Sequence, residues 1–155
     1  MERKTKVHAE EGSQKIVITR DFELPVELLF KAYAEPELVE QWMGTKVLKM
    51  EAARHGSYAF ETRDGQGNVV FSANGCIHEF QPDRRITRSF EMDQAPFDVQ
   101  LEFLAFEALD DESSRLTIEV LYRSVAIRDQ QLRLPFAYGI NMAHDRLQQV
   151  LSTLK

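Results

Sequence analysis

From residue 46 to about residue 125 the apolar residues repeat with a period of two, and turn clusters cut the repeats. The clusters are DGQGN (64–68), QPDRR (81–85), DQAP (93–96) and DDESS (110–114). Alternation of this kind marks half-buried strands. Asp-Gly and the second glycine of DGQGN supply positive φ at little steric cost, which is what a tight hairpin needs. Strands joined by short turns pair antiparallel. An antiparallel sheet with one apolar face must cover that face with a second layer. Phe136, Ile140, Ala143, Leu147, Val150 or Leu151, and Leu154 form a helical stripe at the end of the chain. At roughly five turns it is the element long enough to cross a small sheet.

The chain before residue 46 adds a strand and two helices. KIVITRDF (15–22) alternates Ile16 and Ile18 against Val17 and Thr19, so it reads as a strand. Pro25 then suits a first helical turn, and Val26, Leu29, Phe30 and Tyr33 share one helical face. Pro36 starts a second short helix carrying Leu38, Val39, Trp42 and Met43, and Gly44 is placed to end it. The charged start MERKTKVHAEEGSQK has no apolar core of a secretory signal. Residues 1–14 are expected to be a flexible tail and 15–155 a single domain. A net charge of −6 argues against non-specific nucleic-acid binding and against attraction to anionic membranes. No run reaches the length of a membrane span, so no membrane insertion is expected. The one cysteine, Cys76, excludes an intrachain disulfide, and a reducing, cytoplasmic setting is the expectation. Cys76 itself reads as a small core or half-buried residue.

ITRDFELPVELLFKAYAEPELVEQWMG (18–44) resembles the opening of the START-like (SRPBCC) superfamily, and within it the activator of heat-shock protein 90 ATPase homologue family. Pro25 and Phe30 in the first helix carry the resemblance, with Pro36, Glu37 and Trp42 in the second. RHGSYAFETRDGQGN (54–68) is similar to the family's Gly-Gly-x-(Tyr/Phe) strand and Asp-Gly hairpin. NGCIHEFQPDRRITRSFEM (74–92) is similar to a further family stretch through Gly75, Glu79, Phe80 and Pro82. The resemblance spans about residues 15–154. Two positions depart from it: His55 stands where a second glycine is usual, and the last helix opens on Gly139-Ile140 where Gly-Trp is common. It implies an α+β, helix-grip (START-like) fold. A curved antiparallel sheet of about six or seven strands wraps a long C-terminal helix, with two short helices after the first strand. A cavity between sheet and helix is the expected ligand site.

Several residues are candidates for that site. In RITRSFEM, Arg88 shares parity with Ile86, Phe90 and Met92 and so points inward. A buried guanidinium needs an anionic ligand or a protein carboxylate, unless it snorkels at the strand end. His144 flanks the last helix's apolar stripe, as a hydrogen-bonded border residue or a cavity residue. Tyr58 and Tyr138 offer hydroxyls; Phe60, Phe71, Phe90 and Phe103 are sheet-face aromatics; Met142 is an adaptable filler. Trp42 is a core anchor or a wall at the mouth of the cavity. His8, His55, His78 and His144 lie in four segments without metal-ligand spacing, so neither a metal nor any other cofactor is expected. There is no phosphate loop or nucleophile elbow. The expected function is binding of a small apolar or amphipathic molecule. The alternatives are a cyclase, dehydratase or hydrolase moving protons through Arg88, His144 and a tyrosine, and a chaperone-associated interaction domain, which the family name alone implies.

Overall fold

Alternating burial organises the sheet strand by strand. In the computed structural model, which describes residues 4–155, the elements are β1 (Lys6–His8), β2 (Lys15–Phe22), α1 (Val26–Ala34), α2 (Pro36–Met43), β3 (Lys46–Met50), β4 (Ser57–Arg63), β5 (Val69–Gln81), β6 (Arg85–Met92), β7 (Gln100–Ala108), β8 (Ser114–Leu121), α3 (Val125–Leu132) and α4 (Phe136–Ser152). The eight strands form one antiparallel sheet in the order β1-β2-β8-β7-β6-β5-β4-β3. The register shifts between Val47 and Lys49, between Thr62 and Arg63, and between Ile77 and Glu79. Irregularities of this kind bend a strand and increase its twist. The sheet curves around α4 in the helix-grip arrangement.

One face of the sheet carries the core. Ile16, Ile18 and Phe22 on β2, Leu116, Ile118 and Val120 on β8, Leu104 and Phe106 on β7, and Tyr58 and Phe60 on β4 are all buried. Helices α1 and α2 close one end. Phe30 packs edge-on against Phe106 and Phe80, with ring centroids 5.0 and 5.3 Å away. Gly44 ends α2 in the left-handed region at φ 66°, and its N–H donates to the Glu40 carbonyl at 3.1 Å. Among the described residues no helix is long and apolar enough to cross a membrane.

Three details differ from the sequence-based expectations. Residues 6–8, inside the segment expected to be a tail, form β1 and pair with Val17–Thr19; residues 1–3 of that segment lie outside the described residues. The stretch after β8 makes α3, where Ser124 caps the helix by accepting from the Ile127 N–H at 3.1 Å. Cys76 is exposed, because Ala73, Gly75 and Ile77 occupy the inward parity of β5 and leave Cys76 on the other face.

The departure at His55 has a backbone consequence. His55 sits at φ 69°, and its N–H donates to the Ile77 carbonyl at 2.8 Å. A residue with a Cβ is disfavoured there by about 1 kcal/mol or more. At neighbouring Gly56 a Cβ would run into the Glu51 carbonyl. His55→Gly is therefore expected to raise the unfolding free energy by about 1 kcal/mol, and Gly56→Ala to lower it. Urea unfolding of both variants checks the opposite signs.

Candidate functional site

Helix α4 is anchored by its second half. His144, Leu147 and Leu151 are fully buried. The first half packs loosely: its inward residues Phe136, Ile140 and Ala143 are only half-buried. Beneath that loose half lies a cavity of about 220 Å³. Phe136, Ile140 and Ala143 form its roof, Trp42 and Met43 of α2 one wall, and Ile18, Ile118 and Val120 the sheet side.

Two charged side chains line this space, Arg88 and Glu102. They face each other directly across β6 and β7. Arg88 Nε donates to Glu102 Oε1 at 2.9 Å, and each side chain is 12% exposed. Gln100 Nε2 donates to the other carboxylate oxygen at 2.8 Å. The guanidinium lies over the Tyr58 and Tyr33 rings, 5.2 and 5.9 Å from their centroids. Burial works against its charge; the Glu102 carboxylate, by its charge and its hydrogen bond, works the other way, and Arg88 stays above its ordinary pKa. Burial pushes the Tyr33, Tyr58 and Tyr122 hydroxyls up, so all three stay protonated at neutral pH. The Tyr58 hydroxyl donates to the Ser89 carbonyl.

The candidate residues divide clearly. Trp42, Arg88 and Phe90 line the cavity. Trp42 is both wall and anchor: it is 4% exposed, its indole N–H donates to the Ala32 carbonyl at 2.7 Å, and its ring packs on Tyr33 at 5.1 Å. Tyr58 reaches the site through the Arg88 guanidinium rather than as lining. Phe60 is core, packed on Tyr58. Phe71 is half-buried near the start of β5, against a separate depression with Ser72 and Asp93. Phe103 lies on the outer face, 40% exposed, because Glu102, Leu104 and Phe106 hold the inward parity of β7. Tyr138 and Met142 each follow a roof residue by two positions, about 200° around a helix, and so point to solvent.

His144 is also outside the cavity. It is buried on the β1–β2 side, 2.7 Å from Thr5 Oγ1 through Nδ1 and edge-on to Phe22. Thr5 Oγ1 accepts from Arg20 Nη1, and Arg20 Nη2 pairs with Asp145 at 2.8 Å. The Arg88, His144 and tyrosine trio needed for proton transfer is thus not assembled. Burial first, and then the Arg20 charge, lower the His144 pKa to about 3. Among the described residues no group of three or more His, Cys, Asp or Glu is arranged to hold a metal ion.

Sequence reading missed Glu102, Tyr33 and Tyr122. In QLEFLAFEA both parities of β7 are apolar, so alternation could not assign a face to Glu102. The useful signal was an unpaired inward arginine one hairpin away.

The sequence model of the family described as Activator of Hsp90 ATPase homolog 1-like protein matches residues 23–152. No curated protein matches the chain. Among solved structures, a protein of Rhodobacter sphaeroides is similar at a TM-score of 0.85 and 19% identity, over 97% of this chain and 99% of its own. Protein Ms6760 of Mycobacterium smegmatis is similar at 0.82 and 18%, over 96% of each chain. CalU16 of Micromonospora echinospora is similar at 0.67 and 23%, over 97% of this chain and 85% of its own. At these identities the likeness is one of fold.

Two predictions follow from the buried polar groups. Arg88→Met leaves the Glu102 carboxylate without its partner and is expected to cost about 3 kcal/mol. Arg88→Met with Glu102→Met removes both charges and should recover most of that loss in a double-mutant cycle. The second concerns acid. An unfolded histidine titrates near 6.5, so below that pH the unfolded chain takes up a proton that buried His144 refuses. Stability should therefore fall as pH drops from 7.5 to 5.0, by about 2 kcal/mol from this residue. Urea unfolding at the two pH values should show a smaller drop in His144→Asn.

Proposed function

The chain belongs to the Activator of Hsp90 ATPase homolog 1-like family, and we propose that this member binds a small, largely apolar molecule in the cavity beneath α4. The carrying observation is the apolar-walled space of about 220 Å³ roofed by a loosely packed half-helix. Leaving it unfilled forgoes packing worth up to about 5 kcal/mol at ~24 cal/mol per Å³. That is a large share of the roughly 5–15 kcal/mol by which a domain is stable. An engineered cavity of about 150 Å³ already admits benzene, so this space suits a substituted single ring or a small bicycle.

The loose packing of α4 supports the same reading. Its roof residues, Phe136, Ile140 and Ala143, are half-buried, while Leu147 and Leu151 hold the helix in place below them. The front half can then shift to admit a ligand without loss of the anchor. The one tryptophan of the chain, Trp42, stands in the cavity wall and reports on occupancy.

Isopropylbenzene is expected to change Trp42 emission saturably and to raise the Tm, by about 2–4 °C for each kcal/mol of binding linkage. Ala143→Phe fills the roof side and should abolish both effects while the variant stays folded. If neither the emission nor the Tm of the wild-type protein responds to isopropylbenzene and other single-ring compounds, the proposal fails.

A further inference from the structure

The charges and hydrogen-bond valences around the cavity go further than its size, and they rest on the reading that it is a ligand site. Its charged lining sums to zero, one guanidinium against one carboxylate. A ligand carboxylate would bring an extra charge into a mostly apolar space with nothing left to neutralise it, which is costly.

Acceptors and donors are not evenly spent. Each Glu102 oxygen already receives a hydrogen bond, one from Arg88 and one from Gln100. Among the described residues Arg88 uses its Nε on Glu102, and neither Nη group has a hydrogen-bond partner. The hydroxyls of Tyr33 and Tyr122, both cavity residues, likewise have no partner among the described residues. Burial keeps both protonated. The walls therefore present unused donors, while each oxygen of their strongest acceptor is already engaged once and its charge is matched by Arg88. A guanidinium has five N–H donors in a fixed plane, so those left over have a defined direction.

We propose that the cavity selects a neutral molecule with an apolar ring or chain and one hydrogen-bond acceptor, a carbonyl or ether-type oxygen, which accepts from the Arg88 Nη groups. The apolar body lies against Ile118, Val120, Phe136 and Ile140. Glu102 then acts as the charge filter. It balances Arg88 so that the guanidinium serves as a donor without recruiting an anion.

Three compounds of nearly equal shape test this: 4-ethylacetophenone, 4-ethylbenzoate and 1-ethyl-4-isopropylbenzene. They carry a neutral acceptor, a charged acceptor and no acceptor on the same body. Calorimetric titration of the wild-type protein is expected to rank the ketone first, with the carboxylate weaker by about tenfold or more. The hydrocarbon should bind more weakly than the ketone, because it displaces solvent from the Arg88 donors without replacing the hydrogen bonds. Glu102→Gln leaves the site with a net positive charge and should reverse the order, carboxylate above ketone. The wild-type ranking stands as a test even if that variant does not fold. Carboxylate binding as tightly as ketone in the wild-type protein, or hydrocarbon binding as tightly as ketone, overturns the selectivity and leaves the cavity as a binding site. An unchanged order in folded Glu102→Gln overturns the role of Glu102. Absence of binding by all three overturns the cavity reading itself.

Discussion

The cross-strand pair of Arg88 and Glu102 sets what the concave face of the sheet can do. Arg88, between Ile86 and Phe90 on β6, and Glu102, opposite it on β7, would both lose solvation under a closely packed helix. Helix α4 packs tightly over its second half and loosely over the Arg88–Glu102 pair, whereas buried Arg20 finds partners in Thr5, Asn141 and Asp145. Leu147 and Leu151 seat the far half of the helix; Phe136 and Ile140 roof a space over the charged half. The cavity lies where these two charges sit, and they set its polarity. Gln100 donates to the second Glu102 oxygen, and the Tyr33 and Tyr58 rings flank the guanidinium.

Most of the architecture was legible in the sequence because it follows from two short periods. Alternation between turn clusters gave the strands from 46 onward, and the helical stripe to Leu151 gave the layer that covers them. The two proline-started helices were legible for the same local reasons, down to Gly44 as the stop. What escaped was structure without a period. The three-residue β1 is too short to show alternation, and its pairing with β2 is fixed by long-range contacts, including the Thr5–His144 bond. Helix α3 falls in a stretch between the last strand pattern and the C-terminal stripe where neither period is clear, although Ser124 is an ordinary N-cap residue.

The site was legible in proportion to how much of it is set by parity. Arg88 and Phe90 point inward as alternation requires, and of the partners open to Arg88 the structure supplies a protein carboxylate. Its identity was hidden because β7 is apolar on both faces. On α4 the stripe itself faces in, whereas Tyr138, Met142 and His144 lie off it by one or two residues. A single helical step there separates cavity, solvent and the buried contact with β1 and β2. His144 is fully buried yet belongs to a structural network with Thr5, Arg20 and Asp145 rather than to the cavity lining.

The most direct measurement is a crystal structure of the protein with 4-ethylacetophenone. The account predicts the ring between the sheet and the first half of α4, against Trp42 and Ile140, with the ketone oxygen about 3 Å from an Arg88 Nη atom and the Arg88–Glu102 bond intact. A cavity holding only water, or a ketone bound with its oxygen turned away from Arg88, would contradict it.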